Sequence, residues 1–238
     1  MKNNNPKGII LILIGMFIVS FMDATFKYIN TSVNLYEAYF VRTLISFGVI
    51  ASYLKITNKP IIFTTHYPLL TSIRVILFFF GFSSFYISLT IMPLATATAL
   101  FFASPFLMTI FAIFFLKEEV GIRRWSAVII GFIGVYIILN PDFNDFDYLS
   151  LTPVLCAFCY ALSMIIIKKT SDKDDVYSQM FHFYIFAITI SLIIYFFIGD
   201  GQYNNFDYPA SQFILRKWFS NLEFSLPYMI FIGVVGAT

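Results

Sequence analysis

The fold is decided by residues 75–116, which read VILFFFGFSSFYISLTIMPLATATALFFASPFLMTIFAIFFL. This stretch contains no Asp, Glu, Lys, Arg or His. As a helix it would extend about 63 Å, and a bilayer core of roughly 30 Å is crossed by about 20 apolar residues. Pro93 lies near its middle and favours a tight turn. The stretch therefore predicts a helical hairpin with arms at 68–91 and 94–116.

The composition of the whole chain agrees with this local pattern. Of 238 residues, 59% are hydrophobic and only 12% are charged, whereas soluble domains carry about 25% charged residues. A soluble globule of this size has too little interior for so much apolar surface. These values exclude a soluble enzyme, a disordered chain and a nucleic-acid binder with a basic face. They indicate an all-α polytopic membrane protein.

The same length rule assigns the remaining membrane spans. They are predicted at 8–29, 35–54, 125–140, 149–168, 177–198 and from 226 onward. With the hairpin, this makes about eight transmembrane segments, and the eighth is expected to be truncated because the sequence ends within an apolar run. The first segment lacks a small-x-small cleavage site, so we expect it to be a retained helix.

Orientation is predicted from the positions of Lys and Arg, which favour cytoplasmic loops. A cytoplasmic N-terminus places ten of the fifteen basic residues on the inner side. These are Lys2, Lys7, Lys55, Lys59, Lys117, Arg123, Arg124, Lys168, Lys169 and Lys173. The loop 140–147 has three Asp and no basic residue, as expected outside. The prediction is a multi-pass protein of the cytoplasmic (inner) membrane with its N-terminus inside.

The chain also shows weak internal similarity. A shift of 141 residues aligns Phe17 with Phe158, Lys27 with Lys168, Tyr36 with Tyr177 and Phe40 with Phe181. Five helices precede Pro141, so a second copy that follows an odd number of crossings must be inverted in the membrane. We therefore predict two inverted five-helix repeats, a first over 1–141 and an incomplete second over 142–238.

Three linked motifs make the sequence specific. They are PLATATALFFASPF at 93–106, LKEEVGIRRW at 116–125 and GFIGVYIILNP at 131–141. In order and spacing they resemble the EamA-type family of the drug/metabolite transporter superfamily. The sequence departs from that family's pattern because it lacks the last two helices and most of the eighth.

The resemblance implies a ten-helix fold of two inverted repeats around a central substrate cavity. It implies a secondary transporter of small polar organic metabolites that works by alternating access, and amino acids, S-adenosylmethionine and riboflavin-like compounds are all compatible substrates. The missing helices keep a second interpretation open, a truncated or non-transporting membrane assembly protein.

Charges inside the bilayer are costly and therefore informative, at about 2.5 kcal/mol or more each on insertion scales. Asp23 lies about 22 Å from the inner face and Arg42 about 20 Å, so the two can share one level. Lys27 is an i, i+4 neighbour of Asp23. One interpretation is a structural ion-pair network of all three residues. The other is a cavity carboxylate that exchanges a proton or contacts a cationic substrate.

Arg74 and His182 are further candidates for substrate or coupling roles. Arg74 is predicted about 10 Å from the inner face, where it could bind a carboxylate or phosphate or extend to the lipid headgroups. His182 could titrate near neutral pH or serve as a hydrogen-bonded core residue.

The remaining candidates are uncharged. Pro105 removes a backbone hydrogen bond and is expected to kink its helix, as a hinge or as a static bend, next to Ser104. Tyr86 and Tyr160 could line a polar or aromatic cavity.

No motif indicates catalysis, a cofactor or a metal centre. The chain has two histidines and lacks HExxH and phosphate-binding Gly-rich patterns. Cys156 and Cys159 lie in an apolar run and define no disulfide framework. The predicted partners are a small-molecule metabolite and the lipid bilayer, not nucleic acid. The residues leave a homodimer open.

Overall fold

We describe residues 5–139 and 148–237 of a computed structural model of the chain. Within these ranges the secondary structure is helical and contains no strand. The helices are α1 (Asn5–Ile29), α2 (Leu35–Ile56), α3 (Pro68–Ser88), α4 (Leu94–Phe101), α5 (Ser104–Leu116), α6 (Ile122–Leu139), α7 (Thr152–Thr170), α8 (Val176–Ile198), α9 (Pro209–Leu215) and α10 (Leu222–Val235), with a 3₁₀ turn at Tyr148–Leu151 before α7. The predicted boundary between the repeats, 141/142, lies outside the described residues.

The helices have the length and composition of membrane spans. Five described segments are long and apolar enough to cross a bilayer, namely α2, α3, the α4–α5 pair, α7 with part of its 3₁₀ turn, and α8. Helix α1 has 25 residues, and shorter apolar stretches lie in α6 and α10. Large apolar side chains such as Leu11, Phe17, Ile130 and Phe196 are exposed, as on a surface that faces lipid. The prediction of an all-α polytopic membrane protein is confirmed.

The predicted helix over 94–116 is broken in the middle. Helix α4 ends at Phe101, and α5 begins at Ser104 with Pro105 in its first turn. Proline fits this position because its missing N–H would have no partner there. The Phe102 N–H reaches the Thr98 and Ala99 carbonyls, both at 3.1 Å, so the chain passes the break through a tightened turn.

Two glycines allow close helix crossings. Helix α3 packs along α7, and α2 packs against both α8 and α10. A Cβ atom added at Gly81 of α3 would lie 2.7 Å from the Cβ of Cys159 in α7. One added at Gly233 of α10 would lie 2.7 Å from the Cβ of Ile45 in α2. Small residues at such crossings let membrane helices approach closely.

Helix boundaries recur along the chain at an offset of 141 residues. Helix α1 ends at Ile29 and α7 at Thr170; α2 begins at Leu35 and α8 at Val176; α3 begins at Pro68 and α9 at Pro209. The capping residues recur as well. Asn34 accepts a hydrogen bond from the Tyr36 N–H, and Asp175 accepts one from the Tyr177 N–H.

Contacts between the two halves follow the same correspondence. Helix α3 packs on α7, and α10 packs on α1, so the third helix of each half meets the first helix of the other. The two second helices, α2 and α8, pack on each other. The single helix α3 corresponds to two elements in the second half, α9 and α10, which the segment 216–221 separates.

Candidate functional site

Three of the candidate residues meet inside the bundle, each from a different helix. Asp23 of α1 accepts a hydrogen bond from the Tyr86 hydroxyl of α3, and the two oxygens are 3.2 Å apart. The same hydroxyl contacts the guanidinium of Arg42 on α2. Asp23 and Arg42 are only half-buried, although both lie in the middle of long apolar helices. We call Asp23, Arg42 and Tyr86 the central site.

Aromatic rings form the walls of the central site. Phe26 stacks on Tyr86 with ring centroids 4.0 Å apart. The Arg42 guanidinium lies 5.8 Å from the Phe26 ring centre and 5.7 Å from that of Tyr39, within the range of cation–π attraction. Tyr184 of α8 is buried beside this group. The central site thus combines one carboxylate, one guanidinium and several rings in a space that water can partly reach.

Lys27 does not join this site. Its ammonium donates to the carbonyls of Leu89 and of Met92, the latter at 3.1 Å, and Asn30 donates to the Leu89 carbonyl at 3.0 Å. These bonds satisfy carbonyls after the C-terminal end of α3, where a helix leaves acceptors free. The interpretation of Asp23, Arg42 and Lys27 as one ion-pair network is therefore wrong, since Tyr86 bridges the first two and Lys27 binds elsewhere.

Arg74 lies in a second cluster, at the predicted cytoplasmic side. Its side chain is 5% exposed and donates from Nη2 to the Gln179 carbonyl at 2.6 Å, while its Nε has no hydrogen-bond partner. It is thus enclosed by the bundle and does not extend to the headgroups. Nearby, Asp174 accepts bonds from the His66 N–H at 2.8 Å, from the His66 ring at 3.0 Å and from the Thr65 hydroxyl. We call Thr65, His66, Arg74, Asp174 and Gln179 the His66 clasp.

The carboxylate of Asp174 is the electrostatic centre of this clasp. Burial acts to raise its pKa, but the hydrogen bonds from His66 and Thr65 outweigh burial and lower the pKa below the ordinary value of 3.8. A carboxylate that accepts several hydrogen bonds is stabilised in its charged form. The clasp joins the loop before α3 to the loop before α8, so it ties the two halves of the chain together.

A third cluster lies at the opposite end of the bundle. Asn34 donates from Nδ2 to the carbonyls of Ile214 at 2.6 Å and Arg216 at 2.8 Å. Glu37 is 2% exposed and lies close to the Arg216 charge, so the expectation that Glu37 is solvated is wrong. Burial lowers the pKa of Arg216 although Glu37 acts to raise it, and Arg216 Nη1 has no hydrogen-bond partner. We call Asn34, Glu37, Ile214 and Arg216 the Arg216 clasp.

The other sequence candidates lie apart from the central site. Tyr160 packs against the rings of Phe78, Phe82 and Phe101 between α3, α4 and α7. Ser104 is buried and Pro105 exposed at the start of α5. The His182 ring contacts the Ser178 carbonyl of its own helix at 2.7 Å, which matches the interpretation as a hydrogen-bonded residue of the bundle.

Sequence reasoning missed Phe26 and Tyr39 as walls of the central site and Asp174 and Arg216 as parts of the clasps. The signal that could have found the clasps is the repeated Tyr-Pro pair, Tyr67–Pro68 and Tyr208–Pro209, which shares the offset of 141. Among the residues that the structure describes, no group of three His, Cys, Asp or Glu side chains is placed to hold a metal ion.

A helical membrane bundle with opposite charges turned to an interior site has the architecture of a membrane transport protein. The chain belongs to the EamA-like transporter family, whose family model matches residues 6–140. The names of the family and of the relatives below indicate transporters rather than enzymes.

Similar proteins include S-adenosylmethionine uptake transporters of two Rickettsia species. The one from R. prowazekii is 33% identical over 185 residues, which are 78% of this chain and 63% of the relative. The one from R. felis is 31% identical over 229 residues, which are 94% of this chain and 71% of the relative. A riboflavin transporter of Vibrio cholerae is 35% identical over 102 residues, which are 43% of this chain and 34% of the relative. The chain thus spans roughly two thirds of the length of its Rickettsia relatives. No solved structure matches the chain.

Proposed function

We propose that the protein is a secondary transporter that moves a small polar organic metabolite across the cytoplasmic membrane, and that S-adenosylmethionine is the first substrate to test. The observation that carries the proposal is the central site, in which Asp23 and Arg42 keep partial access to water in the middle of the bundle. Intramembrane charges in such a position mark substrate or ion pathways. The Rickettsia relatives, whose matches extend over up to 94% of the chain, support the choice of substrate.

The proposed mechanism is alternating access by two inverted repeats, 1–141 and 142–238. It is supported by the recurrence of helix ends at an offset of 141 residues and by the reciprocal packing of α3 on α7 and α1 on α10. Inverted repeats that rock against each other around a fixed site are common in secondary transporters.

The two clasps have the positions that gates would need. The His66 clasp holds the start of α8 at one end of the bundle, and the Arg216 clasp holds the start of α2 at the other. These helix starts correspond under the offset of 141. We propose that the clasps open alternately, so that the central site faces one side of the membrane at a time.

The proposed orientation places the N-terminus and the His66 clasp in the cytoplasm, because this arrangement puts most Lys and Arg residues inside. Single cysteines introduced at Lys169 and at Gln202, both exposed, would test it in intact cells. A membrane-impermeant maleimide should label the cysteine at 202 only. Labelling at 169 alone would reverse the orientation.

Uptake into proteoliposomes tests the function. The purified protein should accumulate radiolabelled S-adenosylmethionine above empty liposomes, and Asp23→Asn should lower the rate about 30-fold, because the loss of a desolvated charge partner costs about 2 kcal/mol or more. Asp175→Asn is the matched control, since asparagine also caps helices and position 175 is exposed. If Asp23→Asn and the control both equal the parent, the central site is not the substrate site. If S-adenosylmethionine, riboflavin and amino acids all fail to enter, the non-transporting alternative replaces the proposal.

A further inference from the structure

We infer that Asp23 and Arg42 together recognise an α-amino acid group on the substrate, with Arg42 binding its carboxylate and Asp23 its ammonium. The inference rests on the proposed function and deepens it, because it names the part of the metabolite that the central site binds. It predicts selectivity for zwitterionic metabolites over compounds that carry only one of the two charges.

The first step of the argument concerns the cations within the helices. Lys27 binds the carbonyls of Leu89 and Met92, and Arg74 binds the carbonyl of Gln179. Both are thus engaged by backbone at the ends of the bundle. Arg42 instead contacts aromatic rings and the Tyr86 hydroxyl, none of which supplies a negative charge. Its planar fork of donors suits a carboxylate, which it can bind through two parallel hydrogen bonds.

The second step concerns Tyr86, whose single hydroxyl serves both charged groups. It donates to Asp23 Oδ1 at 3.2 Å and contacts the Arg42 guanidinium. This neutral bridge keeps the two charges hydrogen-bonded without joining them in a direct ion pair. A substrate with both an ammonium and a carboxylate can replace the bridge by two ion pairs. A substrate with one charge leaves the opposite group with the weaker neutral partner.

The third step concerns the walls. Phe26 and Tyr39 lie within cation–π distance of Arg42, and Phe26 stacks on Tyr86. Rings hold the guanidinium in place while its edge stays available, because attraction acts through the ring face. The arrangement fixes Arg42 before the substrate arrives, which lowers the entropic cost of binding.

The test is an equilibrium-binding measurement on the detergent-purified protein with three probes. These are S-adenosylmethionine, its decarboxylated analogue, which lacks the carboxylate, and its 2-oxo acid analogue, which lacks the ammonium. The parent should bind S-adenosylmethionine about 30-fold more tightly than either analogue. Arg42→Gln should lose that preference over the decarboxylated analogue and keep the preference over the 2-oxo acid. Asp23→Asn should show the opposite pattern.

The parent protein alone can overturn the inference, so the test does not depend on the folding of a variant. Equal affinity of the parent for all three probes would overturn it, and so would variants that weaken all three probes by the same factor. Failure of the parent to bind any of these nucleosides would contradict S-adenosylmethionine as substrate. Leucine, leucinamide and the 2-oxo acid of leucine then form the probe set, and failure to bind leucine as well would overturn the inference.

Discussion

The contact between α3 and α7 depends on the absence of a side chain at Gly81. A Cβ atom there would lie 2.7 Å from the Cβ of Cys159, a separation that bonded carbon neighbours apart would not tolerate. We expect Gly81→Ala to destabilise the protein by about 1–3 kcal/mol through overpacking. Alanine also favours the helix by about 1 kcal/mol relative to glycine, so the packing cost has to be measured against a control.

Gly48→Ala supplies that control, because a Cβ at Gly48 of α2 meets nothing within 4 Å. The difference in unfolding free energy between Gly81→Ala and Gly48→Ala, measured by denaturant titration in detergent, should be about 1–3 kcal/mol. Adding Cys159→Gly removes the opposing Cβ, so a double-mutant cycle should return most of that cost. Equal stability of the two alanine variants, or no coupling in the cycle, would refute the close crossing.

Two further predictions concern the clasps. Because hydrogen bonds lower the folded-state pKa of Asp174 below its usual 3.8, the stabilisation by the His66 clasp is fully present above pH 3.8 and is lost as the pH falls through the folded-state pKa. Amide exchange of residues 64–67, corrected for intrinsic rates, should therefore accelerate below pH 3.8 in the parent, and an identical acceleration in Asp174→Asn would contradict this. Asn34→Ala removes a helix cap and two interhelical bonds, whereas Asp175→Ala removes a cap whose loss costs about 1 kcal/mol; proteolysis within 199–208 should increase in the first variant only, and equal cleavage would contradict the Arg216 clasp.

The spans were predictable from the sequence because the bilayer sets both their length and their composition. The break before Pro105 also follows from local chemistry, since proline cannot continue the hydrogen-bond ladder of a helix. The starts of α2 and α8 carry their own signals, Asn34 and Asp175, which are strong capping residues.

The rotation of each helix about its axis could not be predicted, and this is why the site was only partly anticipated. In a membrane protein the core and the lipid are both apolar, so periodicity does not separate a buried Phe26 from a lipid-facing Phe17. Depth along a helix placed Asp23 and Arg42 at one level, but it could not show that Lys27 points to the end of α3. The burial of Glu37 depends on the return of residues 214–219 over the bundle, a long-range contact without a local signal.

Counterflow tests the central claim, alternating access to the central site, most directly. Proteoliposomes loaded with unlabelled S-adenosylmethionine should take up the labelled compound several-fold faster than empty ones, because a carrier returns faster when it is loaded, and Asp23→Asn should abolish this stimulation. Uptake that is independent of internal substrate, or stimulation that persists in Asp23→Asn, would contradict the account.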